Sequence, residues 1–155
     1  MNRRTCRWGF SLLEVVIVVA IIAILAGIAI PRMSRGAKGA SDSALSGDLA
    51  VLRNAIDLYA TEHGGELPGA ATINEQLAQY TDGTGATSAT KSADYIYGPY
   101  VRSVPSLPVG ARKGQSKIAA ADAADVGWLY TESTGAITAN TTTEKDVTEK
   151  LYNTY

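Results

Sequence analysis

Residues 9–30 read GFSLLEVVIVVAIIAILAGIAI and contain one charged side chain, Glu14. As a helix, the 21 residues from Phe10 to Ile30 would be about 31 Å long, enough to cross the hydrocarbon core of a bilayer. The apolar residues do not alternate with polar ones, so the pattern is neither that of a half-buried strand nor that of a surface helix. The stretch therefore predicts a single membrane-spanning helix over residues 10–30.

Glu14 is the exception in this apolar stretch. A charge at the centre of a membrane helix costs roughly 2.5 to 3.5 kcal/mol on insertion scales, and less near the helix end. One interpretation is a charge that is tolerated close to the membrane surface. The other, which we favour, is a carboxylate that pairs with a positive charge of a neighbouring chain.

The sequence GFSLLE at residues 9–14 follows a basic leader, and the apolar run behind it ends at Pro31. This arrangement resembles the N-terminal signature of type IV pilins and type II secretion pseudopilins. The resemblance implies that a prepilin peptidase cuts between Gly9 and Phe10 and methylates the new N-terminus on Phe10. It also implies a subunit-pairing role for Glu14, the fifth residue of the mature chain, opposite the N-terminal amine of a neighbour.

Composition limits what the rest of the chain can be. About 120 residues follow the apolar run, which is one small domain. Without the leader, basic residues fall from 14 to 11 against 15 acidic ones, a net charge of −4 that does not favour a nucleic-acid surface. Cys6, the only cysteine, lies in the leader, so the mature chain forms no internal disulfide. This favours the pseudopilin side of the family, since many type IV pilins carry one.

The predicted domains are a leader (1–9), a transmembrane and filament-core helix (10–30) and a periplasmic globular head (31–155). Pro31 is expected to kink or interrupt the helix. Beyond it, with Ser41 or Ser43 as possible N-caps, apolar residues recur at helical spacing and form one stripe: Leu45, Leu49, Leu52, Ile56 and Tyr59. The long helix is thus predicted to be apolar in its first half and amphipathic in its second.

The head is predicted to be a small antiparallel sheet that packs on this stripe, which makes the fold class α+β and pilin-like. A short helix begins near Thr72, and residues 81–94, which have no large apolar side chain, are expected to form an exposed loop. Residues 127–138 read as a β-hairpin, and residues 116–120 as a possible third strand.

Two stretches of the head, residues 98–105 and 127–137, look like the corresponding parts of major pseudopilins. The turn at residues 106–110 lacks the acid and the tryptophan that many secretion pseudopilins have there. This departure weighs against the calcium site of that family and against assignment to the standard secretion system. Asp122 and Asp125 are calcium candidates, because calcium prefers oxygen ligands such as carboxylates. No third acid lies near them in sequence, which counts against a calcium site. No cofactor is otherwise expected.

No catalytic constellation is present in the sequence, and we do not expect an enzyme. The single histidine, His63, precedes two glycines at a predicted helix end and is interpreted as interacting with that end. The basic stretch 110–117 lacks the order of a phosphate-binding loop and is interpreted as a solvated loop.

The leading hypothesis is a structural subunit that polymerises with itself and with minor pseudopilins into the pseudopilus of a type II secretion system. Its expected place is the inner membrane, as a single-pass protein with a cytoplasmic N-terminus and a periplasmic head. Its expected partners include the prepilin peptidase and the inner-membrane assembly platform, and no nucleic acid. The alternative is a type IV pilus subunit for adhesion, motility or DNA uptake.

Two hypotheses from other classes stay open at this point. The chain could be a monomeric membrane-anchored binding module. It could also be a secreted domain that signal peptidase releases after Ala29, since Gly27-Ile28-Ala29 has the required small-x-small form.

Overall fold

The computed structural model describes the backbone of residues 11–155 and their side chains except those of residues 28–35. Within this range the fold is α+β, with one long helix and small sheets. In chain order the elements are α1 (Leu12–Glu62), α2 (Ile73–Ala78), β1 (Tyr80–Thr81), β2 (Thr87–Ser88), β3 (Lys117–Ala119), β4 (Val126–Thr131), β5 (Ala136–Ala139) and a 3₁₀ turn (Tyr152–Thr154). The leader and the predicted cleavage site at Gly9 and Phe10 lie outside the described residues.

Helix α1 is 51 residues long and contains both the apolar run and the amphipathic stripe. Its backbone continues through position 31, so the predicted interruption at Pro31 is not found, while the kink stays a prediction. Ser43 lies inside the helix and donates its hydroxyl proton to the Gly39 carbonyl at 3.0 Å, so it is not the predicted N-cap. Contacts divide the chain into two compact units, the first ending at Ala37 and the second spanning Lys38–Tyr155.

The predicted membrane span, residues 10–30, is described only in part. Phe10 lies outside the described residues, as do the side chains of residues 28–30. Across the portion of the chain that is described, no helix is both long and apolar enough to cross a membrane. Residues 12–30 are helical, as predicted, because they belong to α1. That this helix crosses a membrane remains a prediction.

The predicted stripe on α1 is confirmed as the base of the core. Each of its five members, Leu45, Leu49, Leu52, Ile56 and Tyr59, is at most 3% exposed. They form one cluster with Trp128 and Tyr130 of β4, Ile137 of β5 and Leu77 of α2. One face of the second half of α1 thus belongs to the same core as α2, β4 and β5.

The main sheet has three strands in the order β3-β4-β5. β4 and β5 form the predicted antiparallel hairpin, with Trp128 opposite Ala139. β3, however, pairs parallel to β4, so the prediction of an antiparallel sheet is wrong for this strand. Parallel pairing requires the chain to return from the end of β3 to the level of its start before β4 begins. Because β3 has three residues and spans only about 10 Å, the link at residues 120–125 is long enough for this return.

The predicted exposed loop at residues 81–94 is partly structured. Thr81, together with Tyr80 before the range, forms β1, which pairs antiparallel with β2 at Thr87–Ser88, and Thr81 is fully buried. The anchors are polar: the Gln76 side-chain amide donates to the Gly85 carbonyl at 2.9 Å, and one Asp82 carboxylate oxygen accepts from the backbone N–H groups of Thr84 and Ala86. The prediction considered apolar anchors alone and so missed this turn.

Side chains also satisfy backbone groups of the main sheet on both of its outer strands. On β3, the Asn74 amide donates to the Ile118 carbonyl and accepts from the Ile118 N–H, at 2.8 and 2.9 Å. On β5, an Arg53 Nη2 lies 3.3 Å from the Ile137 carbonyl. Such contacts oppose the pairing of an outer strand with another chain.

The burial pattern of α1 predicts a clear difference between two of its leucines. We expect the fragment Lys38–Tyr155 to fold alone and to unfold cooperatively, since it contains the whole core. In this fragment, Leu52→Ala should cost about 2 to 5 kcal/mol of unfolding free energy, because it leaves a cavity in the core. Leu58→Ala, at a side chain that is 49% exposed, should cost no more than about 0.5 kcal/mol.

Urea unfolding followed by circular dichroism measures both differences. A fragment that unfolds without cooperativity, or equal losses for the two variants, would contradict the placement of the core.

Candidate functional site

The first half of α1 presents an apolar surface on all its sides. We call residues 12–27 the apolar segment. The large side chains within it are between 49% and 83% exposed: Leu12, Leu13, Val15, Val16, Ile17, Val18, Val19, Ile21, Ile22, Ile24 and Leu25. Because the exposed residues follow one another without a polar face, this surface is far larger than the scattered apolar side chains of an ordinary soluble protein. It is the strongest candidate for an interaction site in the described part of the chain.

Glu14 lies in the first turn of α1 and is exposed. An acid at this position stabilises a helix by roughly 0.3 to 1 kcal/mol, because the N-terminal end of the helix carries partial positive charge. Within residues 11–155 no ion pair involves Glu14. The predicted partner, the amine of a cleaved Phe10 in a neighbouring chain, lies outside the described residues, so the pairing stays a prediction.

The end of the chain is fastened to the second half of α1 by polar contacts. We call residues 144–155 the C-terminal latch. The Tyr152 hydroxyl donates to the Asp42 carboxylate at 2.6 Å, and the backbone N–H of Val147 donates to the other oxygen at 3.0 Å. Arg53 Nη2 donates to the backbone oxygen of Tyr155 at 2.5 Å. Burial, together with the bond to Asp42, raises the pKa of Tyr152 well above its usual value.

Asp146 holds the latch in shape. Its carboxylate accepts hydrogen bonds from the Tyr155 hydroxyl, from the backbone N–H of Lys150, and from both the N–H and the hydroxyl of Thr148. The bond from Tyr155, followed by those from Thr148 and Lys150, holds the pKa of Asp146 far below its usual range. The carbonyl of Asp146 accepts from the Lys38 ammonium at 3.2 Å, which ties the latch to α1 once more.

Glu144 connects the latch to the loop at residues 110–114. One carboxylate oxygen accepts from the Ala111 N–H at 2.9 Å, and the other accepts from the N–H groups of Thr142 and Thr143 at 3.0 and 3.1 Å. These backbone hydrogen bonds lower the pKa of Glu144 to about 2. The stretch 110–117, interpreted from the sequence as a solvated loop, is thus anchored at Ala111 by a carboxylate of the chain itself.

The two weak calcium candidates each have a cationic partner. Asp122 pairs with Arg112 at 3.0 Å and also accepts from the Asn140 amide, while Asp125 pairs with Lys117 at 2.8 Å. These partners hold the pKa of both acids below the usual value, through Asn140 first for Asp122 and through Lys117 first for Asp125. In the described residues no group of three or more acids, histidines or cysteines is placed to hold a metal ion.

Sequence reasoning identified the apolar segment and Glu14 but missed the latch. Asp42 and Tyr152 are 110 positions apart, and contacts between such distant residues leave no periodic pattern. The available signal was compositional, namely the tyrosines at positions 152 and 155 close to acids.

No protein-family model, curated protein or solved structure matches this chain. The pilin-like signature at residues 9–30 therefore remains an expectation from the sequence.

The contacts of Glu144 predict a specific dependence of stability on pH. A carboxylate whose pKa is lowered in the folded protein stabilises it above the unfolded value of about 4.3, and this stabilisation is lost as the pH falls to about 2. Glu144→Gln should therefore lower the unfolding free energy at about pH 7 by about 1 to 2 kcal/mol, a discounted range because Glu144 is partly exposed. The loss should vanish near pH 2.

Thermal unfolding of native and variant protein across this range measures the difference. Glu149→Gln is the matched control, since the Glu149 side chain is 80% exposed and pairs only with Lys145, and it should leave the profile unchanged. A Glu144→Gln deficit that persists undiminished at about pH 2 would show that the charge of Glu144 is not the cause.

Proposed function

We propose that this chain is a pilin-like structural subunit, cleaved between Gly9 and Phe10 and N-methylated. It polymerises from the inner membrane into the pseudopilus of a type II secretion system. The single observation that carries the proposal is the apolar segment, which is exposed on all sides of a helix that continues directly into the folded head. A surface of this kind requires lipid or other protein around it, because water is a poor solvent for it.

The apolar segment suits two environments in turn. Before assembly it lies in lipid, and after assembly it packs against copies of itself in the filament core. Small residues within it, Ala23 and Gly27, are four positions apart and allow two helices to approach closely. A Cβ atom at Gly27 would meet no described atom within 4 Å beyond its own turn of helix.

Glu14 supplies the register of the filament in this proposal. It lies about one helical turn from the N-terminus that cleavage would create, so a neighbour displaced along the filament brings its own amine to the Glu14 carboxylate. The free amine has a pKa of about 7.7 to 8 and is protonated at neutral pH. When both charges enter an apolar core, each neutralises the other, and subunits out of register would bury them unpaired.

The orientation rests on the resemblance, because the charges on the two sides of the apolar run are balanced. Three arginines precede it, and Arg32, Arg35 and Lys38 follow it. The proposal places the N-terminus in the cytoplasm, where the prepilin peptidase and the assembly platform act on it, and the head in the periplasm. Minor pseudopilins are the further partners.

A type IV pilus subunit is the second candidate. For DNA uptake it would need free cations on the head, but two of the three cations of the basic loop, Arg112 and Lys117, are paired with acids. Lys113, the third, is in none of the ion pairs found in the described residues. These pairs favour the secretion reading over a nucleic-acid surface. An adhesive or motile pilus stays compatible with the same contacts.

The decisive experiment replaces Glu14 in the full chain, produced together with its assembly machinery. Glu14→Leu should leave membrane insertion and cleavage intact, because it removes a charge from lipid. Filament formation should fall about a hundredfold or more, since breaking a buried charge pair commonly costs about 3 to 5 kcal/mol. Filaments are counted by electron microscopy and by the sheared fraction of total subunit.

Two further variants separate charge from shape. Glu14→Gln keeps the size of the side chain but lacks the charge, and it should behave like Glu14→Leu. Glu14→Asp keeps the charge on a shorter side chain and should retain part of the assembly. Abundant filaments from a pure Glu14→Leu population would remove the pairing role and favour a membrane-anchored module.

A further inference from the structure

An open cleft lies at the end of the head where α1 ends. It has a volume of about 420 Å³ and is lined by Gly65, Glu66, Leu67, Glu132 and Ser133. Glu66 and Glu132 are both exposed, and neither takes part in an ion pair found in the described residues. No basic residue is among the described residues of the lining. The cleft is therefore concave, acidic and without a positive charge of its own.

Contacts between the two walls of the cleft fix its shape. The backbone N–H of Ala70 donates to the Glu132 carboxylate at 2.8 Å, which joins the β4-β5 turn to the segment after α1. In the same turn, a Cβ atom at Gly135 would lie 2.9 Å from the Leu67 side chain, so the backbone approaches Leu67 closely. The lining thus combines an apolar side chain with two acids. This combination suits a lysine, whose methylene stem packs on apolar surface while its ammonium stays near water and acids.

Lys113 lies on an exposed turn of the basic loop. Its backbone N–H donates to the Gly110 carbonyl at 3.2 Å, and Gly110 and Gly114 both have positive φ, as a tight turn requires. The Glu144 carboxylate holds the turn through the Ala111 N–H at 2.9 Å. The Lys113 side chain is exposed and is in none of the ion pairs of the described residues. A positive charge is thus presented on a turn whose backbone is held in place.

The cleft and the loop at residues 110–114 lie at opposite ends of the head. Glu144 joins the loop to the C-terminal latch, which contacts α1 at Lys38 and Asp42. The cleft starts at Gly65, just beyond Glu62, the last residue of α1. From residue 42 to residue 62 the helix rises about 30 Å. A contact between the cleft of one copy and the loop of another is therefore head-to-tail, and such a contact can continue from copy to copy as a filament requires.

We propose that the cleft is a docking surface for a second copy of this chain, whose Lys113 enters it beside Glu66 and Glu132. The inference rests on the proposed function, because it names the part of a neighbouring subunit that the head contacts. The observation that carries it is the charge complementarity between two ends of one compact unit, an acidic cleft and a lysine on an exposed turn. Each copy offers its cleft to one neighbour and its loop to the other.

Lys91 and Arg102 are further exposed cations that are in none of the ion pairs of the described residues. Lys91 lies on the segment between β2 and Tyr97, both of which pair with β1. β1 is followed by Asp82, whose carbonyl oxygen lies 2.9 Å from the imidazole that follows α1, so Lys91 is at the same end of the head as the cleft. Arg102 lines a cleft itself. Lys113 is therefore the cation that is placed for a head-to-tail contact.

Short-range cross-linking tests the contact directly, because the proposed mature chain has no cysteine. The full chain carries Cys6→Ser, Glu66→Cys and Lys113→Cys and is produced with its assembly machinery. Sheared filaments are treated with a short bis-maleimide and analysed by denaturing electrophoresis. We expect a ladder of dimers, trimers and longer products, since each copy would be linked to two neighbours. Linkage within one copy is excluded, because the two positions lie at opposite ends of the head.

Matched variants show whether the contact is specific and depends on charge. Glu66→Cys combined with Arg102→Cys should give no ladder. Glu66→Lys and Lys113→Glu should each lower the filament yield about two- to fivefold, because an exposed ion pair contributes little by itself. The two reversals combined should restore the yield, since opposite charges then meet again. Arg102→Glu is the control for charge and should leave the yield unchanged.

The outcomes separate this inference from the proposed function. Filaments that form but give no ladder with Glu66→Cys and Lys113→Cys would overturn the docking and leave the filament subunit intact. An equal ladder from the combination with Arg102→Cys would overturn the docking too, since linkage would then not depend on Lys113. Combined charge reversals that give no more filaments than the single ones would also overturn it. If the unsubstituted chain formed no filaments, the proposed function would fail and the docking with it.

Discussion

The burial of one face of α1 is the interaction on which the head depends. Its stripe meets Trp128 and Tyr130 of β4 and Ile137 of β5 in a single cluster. Strands as short as β3 and β5 have too little surface to form a core by themselves, so the helix supplies the second layer. The same helix carries, in its first half, apolar residues on every side. Helix α1 thus has a buried stripe that packs within the head and an apolar segment that is exposed.

Polar contacts attach the parts of the head that the small apolar core does not hold. Asp42, Glu144 and Asp146 each accept several hydrogen bonds and fasten the chain end to α1 and to the loop at residues 110–114. The only cysteine lies in the predicted leader, so no disulfide performs this task in the proposed mature chain. Fastening by carboxylates gives the head a sensitivity to acid that a covalent bond would not give.

The sequence predicted those parts of the fold that have a periodic or turn signature. The stripe from Leu45 to Tyr59 followed from helical spacing, and the β4-β5 hairpin followed from its turn residues. The parallel pairing of β3 was missed because three residues do not indicate a strand direction. The latch and the Asp82 turn were missed because they depend on hydrogen bonds between polar side chains and distant backbone. At the candidate site, Glu14 was placed by its position in an apolar run, while Gly9 and Phe10 lie outside the described residues.

The central claim is that the apolar segment serves a processed, polymerising subunit, and the mass of the mature N-terminus tests it most directly. The full chain is produced in cells that contain a prepilin peptidase, purified from membranes and measured intact by mass spectrometry. The account predicts a chain that begins with N-methylated Phe10. A chain that keeps Met1 would contradict it and indicate an uncleaved anchor, and a chain that begins at Ile30 would contradict it and indicate a secreted domain.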